Sequence, residues 1–127
     1  MSREQNSELA QGLRKALEDL DAEALGALYA DDAKIWHNFD GVEQTPEQNV
    51  KNFNWMKRKL KDFKVVDIRQ DILDDGFLHY HLITGTEPPV SGPCLLRAWC
   101  ADGKITRIEE FTDSAAYGPL IPSRKSA

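Results

Sequence analysis

The sequence predicts an α+β fold in which a curved, mostly antiparallel sheet packs on three helices from the first half of the chain. Three observations carry this expectation. Helical periodicity dominates the chain up to about residue 60, strand periodicity follows from residue 63, and turn signals join the later segments as hairpins. Helices followed by hairpin-linked strands favour segregated layers, with the helices on one sheet face. A length of 127 residues suits one domain with a real core. Residues 1–127 are therefore read as one domain, its core spanning about 5–120.

The elements follow in order. Leu9, Leu13, Ala16, Leu17 and Leu20 mark one face of a first helix. Asp21 is a break and a fresh N-cap, with Leu25, Leu28 and Tyr29 on a second, short helix. Lys34-Ile-Trp-His-Asn-Phe39, rich in aromatic and β-branched residues, predicts the first strand. Thr45-Pro46-Glu47-Gln48 carries a capping threonine, a proline suited to the first helical turn and a glutamine placed to close a capping box. The apolar stripe of this third helix is Val50, Phe53, Met56 and Leu60, with Asn49 inside it and Trp55 roughly opposite. Strands are expected at 63–73, 76–86, 94–101 and 104–112. Asp74-Asp75-Gly76 makes one turn, Thr86 to Pro93 a longer loop, and Asp102-Gly103 a tight two-residue hairpin.

Composition narrows the function classes. The net charge of −5 gives no electrostatic means of displacing counterions from a phosphate backbone, so nucleic acid is not an expected partner. The basic run Lys57-Arg58-Lys59-Leu60-Lys61 falls at a helix C-terminus, where cations complement the helix dipole. No apolar run approaches the roughly 20 residues needed to cross a bilayer, and the polar N-terminus lacks a signal-peptide core. A cytoplasmic location without membrane contact is expected. Cys94 and Cys100 would lie about 20 Å apart along one strand, beyond disulfide reach, and read as small buried apolar residues.

The Asp102-Gly103 turn sets a register in which Ala101 faces Lys104. Cys94, Leu96, Ala98 and Cys100 then share a face with Ile105, Arg107, Glu109 and Phe111. That face is the more apolar and is placed inward. Arg107 and Glu109 are then either an internal ion pair or the polar end of a cavity, since a buried charge needs a partner. The alternative is an inverted face with both in solvent. Trp99, on the other face, would be an exposed aromatic, which points to a second subunit covering the outer sheet.

Other polar residues have two readings each. His37 lies between Ile35 and Phe39 on one strand face, as a satisfied core histidine or as a site group. Tyr80 shares a face with Leu78 and Leu82, so its ring is expected inside, with its hydroxyl satisfied or orienting a ligand. Asn49 in the apolar stripe either bonds backbone or marks a polar point in a pocket wall. His79 and His81 are then expected outside; His-x-His is a metal-ligand spacing, but no second ligand-bearing strand accompanies it. No phosphate loop, dinucleotide fingerprint or Cys-x-x-Cys is present.

Together the order of elements and several short motifs resemble the nuclear transport factor 2-like superfamily, and within it SnoaL-like proteins and ketosteroid isomerases. The motifs are Leu28-Tyr-Ala-Asp-Asp-Ala33, Gly85-Thr86, and Asp102-Gly-Lys-Ile105 followed by Asp113. The resemblance implies a cone-shaped fold, a buried pocket for a small apolar or carbonyl-bearing ligand, no cofactor, and a homodimer. It places His37 where ketosteroid isomerases carry an aspartate base, Leu96 where relatives carry an acid, and Phe53 at a tyrosine site. Gly85-Thr86-Glu87 stands where SnoaL-like cyclases show Gly-Thr-His. The expected chemistry is isomerisation, cyclisation or dehydration beginning with proton abstraction beside a carbonyl. His37 and Glu109 would be the catalytic groups, with Arg107, Tyr80, Asn49, Phe53, Phe111 and Leu96 around the ligand. A non-catalytic ligand-binding or dimerisation domain of the same fold is the alternative.

Overall fold

The structure, a computed structural model, describes residues 2–118. Helix α1 (Arg3–Glu18) starts at Ser2, whose hydroxyl accepts from the Gln5 amide while the Gln5 side chain returns the bond. It buries Asn6, Ala10, Leu13, Ala16 and Leu17. Helix α2 (Ala22–Ala27) is capped by Asp21, as expected. It ends sooner than its apolar residues suggest. Leu28 is its C-cap, and Tyr29 already opens strand β1 (Tyr29–His37). A two-residue strand, β2 (Glu43–Gln44), precedes helix α3 (Pro46–Lys59). Thr45, Pro46 and Gln48 form the expected start of α3, and Lys57, Arg58 and Lys59 occupy its last turn.

Strands β3 (Lys64–Leu73), β4 (Gly76–Thr86), β5 (Pro89–Ala101) and β6 (Lys104–Thr112) follow, then a 3₁₀ turn at Ser114–Tyr117. The loop expected over Thr86 to Pro93 is mostly strand, because the β4–β5 ladder continues to the pair Thr86 and Pro89. All six strands form one sheet in the order β2-β1-β6-β5-β4-β3. Only β1 and β6 run parallel, and their pairing brings His37 beside Glu110. Helix α1 lies over β3 and β4, and α3 over β1. Between helices and sheet sit Leu13, Ile35, Phe77, Ile105 and Ile108, each at most 2% exposed. Burying such side chains contributes about 1.5–3 kcal/mol apiece. No described helix is long and apolar enough to cross a membrane.

Two face assignments differ from the sequence expectation. The hairpin register begins as expected, with Ala101 opposite Lys104 and Cys100 opposite Ile105. A bulge then shifts it, so that Trp99 pairs with Arg107 and Ala98 with Ile108. Thr106 is the extra residue, and its hydroxyl donates to the Trp99 carbonyl at 3.2 Å. One inserted residue exchanges the faces of everything beyond it. Arg107, Glu109 and Phe111 therefore lie on the outer side, and Ile108 and Glu110 on the inner one. Phe111 is 43% exposed. Arg107 pairs with Glu109 at 3.0 Å and with Glu43 at 2.6 Å on the half-open surface.

The second difference is on β4. His79 and His81 face inward and are buried, at 0% and 4% exposure, beside inward Phe77. Leu78, Tyr80 and Leu82 face outward and are half-buried. Polarity misleads here because the imidazoles satisfy one another inside, while the outer face keeps an apolar character of its own. On that outer face the Arg69 guanidinium lies 4.3 Å over the Tyr80 ring, and Arg97 lies 4.3 Å over Trp99. Trp99 is thus half-covered within its own chain rather than fully exposed.

Candidate functional site

The inner ends of β1 and β6 build a buried polar pair. His37 closes β1, and the parallel register sets it against Glu110. Its Nε2 lies 2.8 Å from Glu110 Oε1. The imidazole is 4% exposed and the carboxylate 23%. Burial opposes ionisation of Glu110, but the hydrogen bond and positive charge of His37 outweigh it and hold the carboxyl at about 2. Burial likewise pulls His37 down, yet the bond to Glu110 and the charges of Glu110 and Asp40 win, and it titrates above 6.5. Cys94 lines the same hollow as Glu110, and its thiol also favours the ionised carboxylate. Burial first, then that carboxylate, pushes the thiol well above its ordinary value, so it stays protonated.

His37 Nδ1 is the notable atom. It is buried and has no hydrogen-bond partner. With Glu110 ionised, the shared proton sits on Nε2, so a neutral His37 holds an unused lone pair on Nδ1. An orphaned acceptor inside a protein costs on the order of 1–3 kcal/mol, which calls for a compensating role. The Phe39 ring packs against the imidazole at 5.4 Å between centroids.

Two adjoining hollows meet at this pair. One, of about 130 Å³, is lined by His37, Glu110, Phe39, Trp55, Met56 and Tyr117, among others. The other, of about 80 Å³, lies deeper, among His37, Glu110, Phe53, His81, Leu96 and Asn49. Both walls are mostly apolar. Asn49 accepts from the Tyr29 hydroxyl at 2.9 Å and donates to the Gln44 side chain at 3.3 Å. Phe53 stacks edge-on against Phe63 at 5.7 Å.

The structure therefore brings His37, Asn49, Phe53 and Leu96 together around one hollow. It sets Glu109, Arg107, Phe111 and Tyr80 apart from it, on the outer face, for the register and face reasons given above. Glu110 and His81 take the inner positions; alternation along the strands puts His81 outside, as a candidate metal ligand, and singles out Glu109 rather than Glu110. A signal for Glu110 exists. Ile105 and Ile108 are three residues apart, a spacing that strict alternation cannot bury on one face, and both are at most 1% exposed. A bulge between them reconciles the two and turns Glu110 inward. Both nitrogens of His79 are engaged, by Gln70 at 3.0 Å and His81 at 2.9 Å, so a metal at His79 would have to break that chain.

No protein-family model matches the chain, and no curated protein matches its sequence. Solved structures do resemble it. A candidate polyketide cyclase from Xanthomonas campestris superposes with a TM-score of 0.78 at 16% identity, covering 93% of this chain and 97% of that one. A protein of ketosteroid isomerase-like fold from Catenulispora acidiphila, solved with trimethylamine, gives 0.72 at 17% identity, covering 89% and 92%. An epoxide hydrolase from Mycobacterium tuberculosis, of the LEH-like kind, gives 0.68 at 16% identity, covering 91% and 89%. The cone-shaped, ketosteroid isomerase-like fold expected from the resemblance is the fold the chain adopts.

Proposed function

We propose that the chain is a cofactor-independent enzyme of the isomerase, cyclase or dehydratase kind, acting on a small apolar carbonyl compound. The observation that carries this reading is the His37–Glu110 pair in the wall of a mostly apolar hollow, with a His37 Nδ1 that is buried and has no protein partner. Nδ1 accepts a proton from the carbon beside the carbonyl, and the resulting imidazolium is held by the Glu110 carboxylate already in place. Charge formed in the hollow is thereby neutralised by a group that does not need to move. In a β,γ-unsaturated ketone the same nitrogen returns the proton to the far carbon of the dienolate, moving the double bond. Glu110 takes the place in this scheme that the sequence reading gave to Glu109.

Size restricts the substrate. A cavity near 150 Å³ holds a benzene-sized molecule, and the larger hollow here is about 130 Å³. A one-ring ketone or enone fits this space. Incubating the protein in deuterated water with a panel of small cyclic enones and β-keto esters tests the reading. Protein-dependent deuteration of one of them, lost in His37→Gln, is the expected result. No deuteration of any bound compound would leave the second reading, a non-catalytic ligand-binding domain. That reading draws on Leu96, an apolar side chain in the deeper hollow.

For assembly, we propose that a second copy of the chain covers the outer sheet face. Leu95 and Phe111 lie there at 48% and 43% exposure, beside half-buried Leu78 and Tyr80.

A further inference from the structure

The inner face of β4 carries a second polar device that the His37–Glu110 pair does not use. Gln70 Nε2 lies 2.7 Å from the Ala10 carbonyl oxygen. Only the nitrogen end of the amide can bond there, so this contact fixes the orientation of the side chain. The same nitrogen is 3.0 Å from His79 Nδ1. An amide NH₂ donates and does not accept, so His79 Nδ1 is the acceptor and the ring carries its hydrogen on Nε2. That Nε2 lies 2.9 Å from His81 Nδ1. His81 Nδ1 therefore accepts in turn, and neutral His81 carries its hydrogen on Nε2. Burial disfavours the charged form of both rings, and it brings His79 down to about 3. Every link from the Ala10 carbonyl to His81 is thus neutral and directional.

His81 lines the deeper hollow together with His37 and Glu110. Its Nδ1 is taken by His79, so Nε2–H is the polar edge left to offer a ligand. The other polar groups of this hollow are committed or badly placed for that task. Glu110 only accepts, His37 Nε2–H is directed at Glu110, the Tyr29 hydroxyl donates to Asn49, and the Asn49 amide donates to Gln44. Asn52 is exposed at the rim.

We infer that His81 is the hydrogen-bond donor for the substrate's carbonyl oxygen, held in its Nε2–H tautomer by Gln70 and His79 as positioning residues. The inference rests on the carbonyl chemistry proposed above. As His37 removes the proton, the C–H electron pair forms the new carbon–carbon double bond. The carbonyl π pair moves onto oxygen, where the His81 N–H receives it. In a β,γ-unsaturated ketone the product is a dienolate, and return of the proton from His37 to its far carbon moves the double bond, restores the carbonyl and leaves both residues as they began. A donor fixed in advance in a dry site stabilises such an enolate far better than water does, and losing one costs on the order of 100-fold in rate.

The test uses ¹⁵N-labelled protein and cyclopentanone labelled with ¹³C at its carbonyl. At neutral pH, His79 and His81 are expected to show hydrogen on Nε2 and a bare Nδ1. The carbonyl carbon of bound cyclopentanone is expected to move downfield, in wild type and in His37→Gln alike. His81→Phe, which keeps a ring but no donor, is expected to abolish that movement and to slow deuteration of a reactive ketone about 100-fold. Gln70→Glu, whose carboxylate accepts from His79, is expected to turn both rings to the Nδ1–H form and to remove the movement as well. A wild-type His81 with hydrogen on Nδ1, or a carbonyl signal unmoved at saturating cyclopentanone, would overturn the inference. Should His81→Phe fail to fold, the wild-type tautomer and the carbonyl signal still decide. Because that signal is also read in His37→Gln, failure of the proton-abstraction chemistry leaves it intact and is recognised separately.

Discussion

Replacing Glu110 by glutamine keeps the size of the side chain and removes the charge that faces His37. Glu110 titrates at about 2 rather than 4.5, so its ionised form is favoured in the folded chain. At 1.36 kcal/mol per pKa unit this corresponds to about 3 kcal/mol of stability at neutral pH. The sign follows from the depressed pKa. The contribution is fully present above 4.5, the unfolded value, and is lost as pH falls through the folded value near 2. Urea unfolding of both proteins from pH 7 to pH 2 measures it. Glu110→Gln is expected to be less stable by about 3 kcal/mol at pH 7, by about 1 kcal/mol at pH 3, and by still less at pH 2. In the same variant the His37 imidazole loses its strongest raising partner while its burial remains. Its NMR titration is therefore expected to move from above 6.5 to below it. Equal stability of the two proteins at pH 7, or a gap that does not narrow in acid, would refute the pairing. So would a His37 titration that stays where it was.

Three further outcomes are expected. With neutral His37 as the base, deuteration of a reactive ketone should rise with pH through a value above 6.5, and Glu110→Gln should move that limb to lower pH; a flat profile would exclude His37 as the base. His79, buried neutral with a folded value near 3, does not take up the proton that the unfolded chain gains below 6.5. It should thus remove about 2 kcal/mol of stability between pH 6.5 and 4.5, and His79→Leu should flatten the acid slope of the urea midpoint whatever it does to absolute stability. If two copies meet on the outer sheet face, light scattering should give a dimer mass for wild type and a monomer mass for Leu95→Asp, whereas a monomeric wild type would contradict that arrangement.

Parts of this fold were legible because local chemistry decides them. The start of α3 follows from Thr45, Pro46 and Gln48, whose capping bonds depend on nothing distant. The Asp102-Gly103 turn is similar, with both residues at positive φ, which glycine and aspartate tolerate best. His37 was legible as a site candidate from its position on β1, and the structure sets it inside. Its partner was not. Glu109 and Glu110 are neighbours of one type, and only the bulge at Thr106 decides which faces the hollow. A register shift of one residue leaves little trace in composition, apart from the three-residue spacing of Ile105 and Ile108. The faces of β4 were illegible for another reason. The burial of His79 and His81 depends on a chain through Gln70 to a carbonyl in α1, residues distant in sequence. Alternation rules weigh polarity residue by residue and do not register such satisfaction.

The ¹⁵N spectrum of the His37 ring at mildly alkaline pH, above its raised titration, with and without cyclopentanone, bears most directly on the proposed site. A proton fixed on Nε2, with a bare Nδ1 whose signal moves when the ketone fills the hollow, is the expected result. A ring exchanging freely between tautomers as in water, and indifferent to the ketone, would contradict it.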